Sequence, residues 1–199
     1  MKKGILITLI LICSATLSAQ DTLRLHPVFR FGFAFPYAIG DNSLSKSHYD
    51  GGGFILEAQL LEYRYFKFGI GFSNANFDVD DVATVGNFSS TGYYSLHPTV
   101  SYEFLLSKRI SVMPQVGYGA GLLTQDNESA QFGHDLTAGI LVNYKWNKRW
   151  SFLTGAMYQH GSVDVETRSE LVDYYKQIRL FQFYVAIQFD LKPRQFQSK

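Results

Sequence analysis

Residues 29–37 read Phe-Arg-Phe-Gly-Phe-Ala-Phe-Pro-Tyr, so every second side chain is aromatic. Successive side chains of a β-strand point to opposite faces, and this period of two therefore predicts a strand with one apolar and one polar face. Leu153 and Met157 fall on the polar face of the seventh of these segments, which is therefore the least regular. Including residues 29–37, the chain shows eight alternating segments, the others being residues 54–60, 66–73, 94–104, 110–122, 135–146, 150–159 and 181–190.

The composition of the two faces indicates which one points inward. The apolar face is bulky and aromatic, whereas the polar face mixes charged residues with many of the 17 glycines. Glycine suits a wall that lies close to its neighbours across a narrow lumen. Apolar residues outside and polar residues inside are typical of a β-barrel in lipid. A soluble barrel of the lipocalin type, with an apolar interior, is the less favoured alternative.

The connections between the segments alternate in length. Short turns are predicted near residues 61–64, 105–109 and 147–149, and long polar loops at residues 40–51, 75–91, 124–133 and 161–173. Outer-membrane barrels have short periplasmic turns and long extracellular loops. The four long loops hold eleven acids and two bases, a net charge of −9, whereas the opposite end has a net charge of +7. Tyrosines including Tyr93 and Tyr94 are predicted to mark the outer rim, and Trp146 and Trp150 the periplasmic rim.

The first 19 residues predict a cleavable signal peptide. Lys2 and Lys3 precede an apolar run over residues 4–12, small residues follow, and cleavage after Ala19 fits the pattern. Cys13 is the only cysteine, so the mature chain offers neither disulfides nor thiolate metal ligands. No later stretch approaches the roughly 20 apolar residues of a membrane helix, so a chain that spans a membrane must do so as a closed barrel.

With these features, the mature chain resembles the eight-stranded outer-membrane β-barrels of the OmpA, OmpX and OmpW types and the outer-membrane β-barrel domain proteins of Bacteroidota. The resemblance implies an all-β fold, a single antiparallel up-and-down transmembrane barrel over residues 20–191, in the outer membrane of a Gram-negative bacterium. It also implies a monomer whose partners are membrane lipid, lipopolysaccharide and the barrel assembly machinery. The chain departs from these families in a basic tail, residues 192–199, so a recognition signal for assembly would lie within residues 184–191.

Charged residues on the predicted inward face form the main candidate site. We interpret them as a paired network that fills the lumen, because buried charges need partners and eight strands enclose little more than side chains. The register predicts Lys67 opposite Gln59 and diagonal to Glu57. A gated proton or ion path is the alternative. Four residues of each sign belong to this set, namely Arg30, Lys67, Lys145 and Lys176, and Glu57, Glu103, Asp135 and Asp190.

Histidines and prolines provide further candidates. His97 is predicted inside the lumen, whereas His134 and His160 are predicted as outward-facing diagonal neighbours at the outer rim. The last two suit the head-group level of a membrane, and a catalytic role in lipid modification is the alternative. Pro98 and Pro114 are interpreted as the site of a β-bulge, with a weak seam for lateral exit of a solute as the alternative.

Three functions remain open from the sequence. The first is a non-enzymatic barrel that acts in envelope structure or surface interaction through its acidic loops. The second is a carrier for a small hydrophobic solute, and the third is an enzyme that modifies lipid A. We expect no cofactor and no metal site. We also expect no nucleic-acid partner, because 18 basic residues balance 17 acidic ones and nucleic-acid binders usually show a basic excess. The loop acids Asp78, Asp80 and Asp81 lack the glycine and terminal glutamate of a calcium loop.

Overall fold

A computed structural model describes residues 23–85, 88–126, 129–165, 169 and 171–192. The predicted signal peptide and residues 193–199 of the predicted tail lie outside these residues and stay predictions. Three short helices accompany the strands: α1 (Ser43–Ser47), α2 (Val82–Val85) and α3 (Val172–Lys176). No helix in the described part of the chain is long and apolar enough to cross a membrane.

Eight antiparallel strands close into a barrel. Each strand pairs with its neighbour in sequence, and the first strand pairs with the last from Val28–Asp190 to Ala38–Leu180. The fourth strand is interrupted at Glu103 and continues as Phe104–Leu105. The strands are β1 (Arg24–Ala38), β2 (His48–Tyr63), β3 (Phe66–Val79), β4 (Ser90–Tyr102), β5 (Ile110–Gln125), β6 (Ser129–Lys145), β7 (Trp150–Val163) and β8 (Gln177–Asp190).

The outer surface of the barrel is apolar and its interior is largely polar. On β1, Phe33 is 61% exposed while its neighbour Ala34 is 1% exposed, and Arg30 between two exposed phenylalanines is 2% exposed. Aromatic side chains pack against each other on the outside, as in the pair Trp150–Phe189, whose ring centroids lie 4.7 Å apart. So much exposed apolar surface suits lipid and not water. The predicted transmembrane barrel with apolar residues outside is confirmed.

The two ends of the barrel differ. The short-turn end carries the connections over residues 64–65, 106–109 and 146–149, and the long-loop end carries those over residues 39–47, 80–89, 126–128 and 164–176. The strands extend further into the long-loop end than predicted. The predicted loop over residues 124–133 is mostly sheet, since β5 and β6 stay paired up to Gln125 and Ser129.

Two details of register differ from the sequence-based expectation. The hairpin between β2 and β3 turns at residues 64–65, later than the predicted turn near residues 61–64, so that Lys67 lies opposite Glu62 and not opposite Gln59. A β-bulge at Leu60 then shifts the register of the two strands by one residue. No bulge forms at the prolines, because the register runs through Pro98 and Pro114 without a shift. The seventh strand is the one whose predicted alternation is irregular, and the structure shows where its apolar side chains lie. Leu153 and Met157 do face inward on β7, where they are buried. They join an apolar cluster inside the lumen with residues from several other strands, namely Ala34, Ile55, Met113, Leu141, Tyr184 and Ala186. The interior of this barrel is therefore layered, with apolar contacts between the polar groups.

Candidate functional site

A buried ion cluster lies in the lumen near the short-turn end. The Nζ of Lys67 lies 3.1 Å from Oε2 of Glu103, and the Nζ of Lys145 lies 3.8 Å from Oε1 of the same carboxylate. Ser111 also donates to Glu103 Oε1 at 2.9 Å. Glu103 takes this position because it interrupts β4, where its backbone N–H donates to the carbonyl of Tyr65. Three predicted lumen charges thus meet around one carboxylate.

A second cluster at this end joins the first strands to the last one. Nδ1 of His26 lies 3.0 Å from Glu62 Oε2, and Nε2 of the same ring lies 3.0 Å from Asp190 Oδ2. The imidazole of His26 therefore lies between two carboxylates, one from β2 and one from β8. The sequence analysis placed Asp190 in the lumen but missed His26 and Glu62. His26 shares the inward alternation of Arg30, whereas Glu62 turns inward only because of the bulge at Leu60.

Arg30 lies near the middle of the lumen and is held by three strands. Its Nη1 lies 2.8 Å from Glu57 Oε1, its Nε donates to Gln188 at 2.9 Å, and Nη1 also donates to Gln115 at 3.3 Å. Gln115 in turn donates to Glu57 Oε2 at 3.2 Å. The predicted charges Arg30 and Glu57 therefore form a direct pair between β1 and β2.

Asp135 is 0% exposed and lies closer to the long-loop end. It accepts hydrogen bonds from the Tyr93 hydroxyl at 2.9 Å, from the Gln159 amide at 2.9 Å, and from Ser95. These neutral donors satisfy a buried carboxylate without a cation in direct contact. Tyr93, which was predicted at the outer rim, is buried inside the lumen, because it alternates with the outward-facing Tyr94.

His97 lies in the lumen as predicted, beside this group. Its Nδ1 lies 2.8 Å from the Ser95 hydroxyl. The imidazole packs against glycines of the neighbouring strands: a Cβ on Gly117 would lie 2.5 Å from His97 Cδ2, and a Cβ on Gly71 would lie 2.8 Å from its Nε2. These glycines leave the space that the ring occupies.

A cluster of buried apolar side chains lies inside the lumen at the long-loop end. The helix α1 begins with a capping box between Asn42 and Ser45, and it inserts Leu44, which is 2% exposed. Leu44 packs among side chains from five strands, so that a loop residue completes the interior. These side chains are Ala75, Phe77, Tyr93, Leu123, Val163, Ile178 and Leu180.

Seven of the eight predicted lumen charges lie in groups around Glu103, His26, Arg30 and Asp135. The groups of Glu103 and Arg30 meet at Met113, whose Sδ lies 3.9 Å from Lys67 Nζ and 3.6 Å from Arg30 Nη2. Lys176 is the exception, since it is the last residue of α3 in the long-loop connection and is only half-buried. The assignment of Lys176 to the lumen was wrong, because a helical turn interrupts the alternation before β8 begins at Gln177.

The opening of the lumen at the short-turn end is small. It is a cavity of about 40 Å³ that reaches Lys67, Glu103 and Lys145. That volume holds a few water molecules and no larger solute. Larger depressions lie on the outer apolar surface, one of them between Phe31 and Phe33 of β1 and Phe152 of β7.

The long-loop end carries the remaining candidates. Asp78, Asp80 and Asp81 are exposed, and the described residues contain no group of three or more histidine, cysteine or carboxylate side chains arranged to hold a metal ion. Asp81 accepts a hydrogen bond from the backbone of Ala83. Asp126 links two connections, since it accepts from the backbone N–H and hydroxyl of Ser89, and these bonds together with those from Ser90 hold the pKa of Asp126 below its ordinary value.

His134 and His160 lie on the outer surface near this end. His134 is opposite Ser162, and His160 is opposite Leu136, so the two histidines are diagonal neighbours as the register predicted. His134 is exposed and packs beside Tyr118, with ring centroids 6.3 Å apart.

Comparison with known proteins supports the fold. No protein-family model and no curated protein matches the sequence. The barrel is similar to Neisserial surface protein A, with a TM-score of 0.60 and 14% identity over 85% of this chain and 99% of that chain. Ail of Yersinia pestis gives a TM-score of 0.51 and 12% identity over 84% of this chain and 99% of that chain.

OprG from Pseudomonas aeruginosa is similar to the same degree, with a TM-score of 0.51 and 12% identity over 86% of this chain and 98% of that chain. At these identities the likeness concerns the fold, which is that of eight-stranded outer-membrane β-barrels. This fold and the lipid-facing surface are those of an outer-membrane protein, as the sequence predicts. The narrower resemblance to the OmpA and OmpW types and to proteins of Bacteroidota stays a prediction.

Proposed function

We propose that this chain is a non-enzymatic outer-membrane barrel that conducts no solute and acts through its long-loop end. The observation that supports the proposal is the series of buried contacts between side chains inside the lumen. Buried groups around Glu103, Arg30 and Asp135 occupy successive levels, and Leu44 belongs to the apolar cluster beyond them. A path for an ion or solute would require several of these contacts to break together, at a cost of several kcal/mol each for the charged ones.

The partner that best fits the long-loop end is lipopolysaccharide. Exposed carboxylates such as Asp78, Asp80 and Asp81 face away from the membrane in the orientation proposed here, with the short turns in the periplasm. Divalent cations join carboxylates to phosphates through oxygen ligands. Since the described residues contain no complete metal site, phosphates of the lipopolysaccharide would supply the remaining ligands.

Recording from planar lipid bilayers tests the first part of the proposal. We expect no stepwise conductance from the folded, full mature chain, with a porin as the positive control. Discrete conductance steps that depend on the protein would refute the filled lumen as a barrier. A hydrophobic solute recovered from inside the barrel would instead favour the carrier alternative.

Binding of lipopolysaccharide to the protein in nanodiscs tests the second part. We expect binding that needs Mg²⁺ and falls about tenfold, which is ~1.4 kcal/mol, when Asp78, Asp80 and Asp81 are all replaced by asparagine. The matched control replaces three bases of the short-turn end by glutamine, namely Lys108, Lys148 and Arg149. Binding that ignores EDTA, or that falls equally in the control, would contradict this role of the acidic loops.

A further inference from the structure

Three basic or titratable side chains lie together on the outer surface near the long-loop end. His160 of β7 lies directly opposite Arg179 of β8, and His134 of β6 is the diagonal neighbour of His160. Side chains in opposite positions have Cβ atoms about 5 Å apart, and diagonal ones about 7–8 Å. The three residues therefore form a row across three neighbouring strands. The sequence analysis noted the two histidines, but only the register of β7 and β8 adds the arginine.

This row lies at the level of the membrane interface. The next outward residues toward the membrane centre are Tyr158 on β7 and Phe181 on β8, which lie opposite each other. On β6 the next outward residue is Leu136, which lies opposite Tyr118 of β5. Tyrosine is enriched where the hydrocarbon meets the polar head groups. On the loop side of His134 the next outward residue of β6 is the exposed Phe132, so the row lies within the aromatic zone, at the level of the head groups of the adjacent leaflet.

The polar atoms of these three side chains make few hydrogen bonds within the described part of the protein. Nδ1 of His160 is buried and has no hydrogen-bond partner among the described residues, so a ligand outside the barrel would be contacted by Nε2 of this ring. Arg179 is half-buried, and one of its terminal nitrogens donates to Gln177 Oε1. The guanidinium also lies close to Gly40, where a Cβ would lie 3.5 Å from Nη1. A fixed guanidinium with free donors suits a bidentate contact with an oxyanion.

We propose that His134, His160 and Arg179 bind a phosphate group of a glycolipid in the outer leaflet. Arginine and histidine donate to phosphate oxygens, and the outward direction of the row points them at lipid and not at bulk water. The choice of leaflet rests on the orientation in the proposed function.

Retention of lipid A in nanodiscs tests the proposal. The full mature chain is folded in phosphatidylcholine nanodiscs that contain either bisphosphorylated lipid A or lipid A from which the phosphates have been removed. EDTA is present throughout, so that bridging through divalent cations does not contribute. Native mass spectrometry measures the bound glycolipid, and heat-modifiable migration on gels verifies that each variant is folded.

We expect the phosphorylated lipid to be retained preferentially, and the combined variant His134→Gln, His160→Gln and Arg179→Gln to lose about tenfold in affinity. Replacing Lys108, Arg109 and Arg149 by glutamine removes positive charge from the other end and should leave retention unchanged. Equal retention of the dephosphorylated lipid, or no loss in the combined variant, would overturn the proposal.

A separate arm adds inorganic phosphate to nanodiscs without lipid A and follows the histidine side-chain resonances. A parallel sample with lipid A measures the phosphate concentration that displaces the lipid. If the resonances of His134 and His160 shift at phosphate concentrations too low to displace lipid A, the lipid is refuted as the source of the phosphate. Because EDTA removes the cation-dependent route, loss of this site leaves the role of Asp78, Asp80 and Asp81 standing, and the reverse also holds.

Discussion

Replacing Arg30 by methionine removes the cation that neutralises Glu57 near the middle of the lumen. Three polar contacts of the guanidinium disappear, at 2.8 Å to Glu57, 2.9 Å to Gln188 and 3.3 Å to Gln115. The larger cost is the carboxylate of Glu57, whose side chain is 10% exposed and loses its charged partner. Breaking a buried ion pair from one side costs roughly 3–5 kcal/mol.

Two neutral donors remain for Glu57, the amide of Gln115 at 3.2 Å and the hydroxyl of Thr99 at 3.5 Å. We therefore expect Arg30→Met to lower the free energy of unfolding by about 3 kcal/mol, the lower end of that range. Combining it with Glu57→Leu removes the orphaned charge and should restore stability to within about 1 kcal/mol of the native chain. The two substitutions are thus expected to couple strongly.

Urea unfolding in lipid vesicles, followed by the fluorescence of Trp146 and Trp150, measures these free energies. Arg149→Met makes the same chemical change at an exposed turn residue and should cost less than about 0.5 kcal/mol. A loss below about 1 kcal/mol for Arg30→Met, or a double variant less stable than either single one, would refute the reasoning.

Three further predictions concern the packing of the lumen and the contacts of the long loops. Gly117→Ala crowds His97 and should cost about 1–3 kcal/mol in urea unfolding, whereas Gly52→Ala, with nothing within 4 Å of its Cβ, should not. Leu44→Ala should lower the free energy of unfolding by about 2–4 kcal/mol in the same assay, because the side chains packed around Leu44 are left facing a cavity. Because the pKa of Asp126 is lowered in the folded state, its loop contacts stabilise at neutral pH and weaken only as pH falls through that lowered value. Amide hydrogen exchange should show this, and Asp126→Asn should exchange faster even at pH 7.

The sequence predicted the barrel because the period of two recurs in every strand and depends on no distant contact. It also placed Arg30 and Glu57 on the inward face, but their direct pairing follows only from the register of β1 and β2, in which they lie opposite each other. The pairing of Lys67 was predicted wrongly, because the turn between β2 and β3 lies at residues 64–65 and its position sets which side chain Lys67 faces.

Other errors arose where local patterns compete with the alternation. Tyr93 and Tyr94 both fit an aromatic rim by composition, yet adjacent strand residues point to opposite faces, and only one of them can be outside. Lys176 continues the alternation of inward-facing residues of β8 in the sequence, but it belongs to a helical turn in the structure. The row of His134, His160 and Arg179 needed the pairing of three strands, which the spacing within one segment does not contain.

The seam between β1 and β8 has a consequence for how the protein is assembled. The first and last strands meet only when the whole chain has been made, and until then the charged inner faces are open to water. Closure must expel that water at one time and bring His26 to Asp190 and Arg30 to Gln188 across the seam. A sheet that is almost closed would expose unpaired backbone and buried charge to lipid. Closure of the seam between β1 and β8 is therefore what satisfies the last open edges of the sheet within the hydrocarbon.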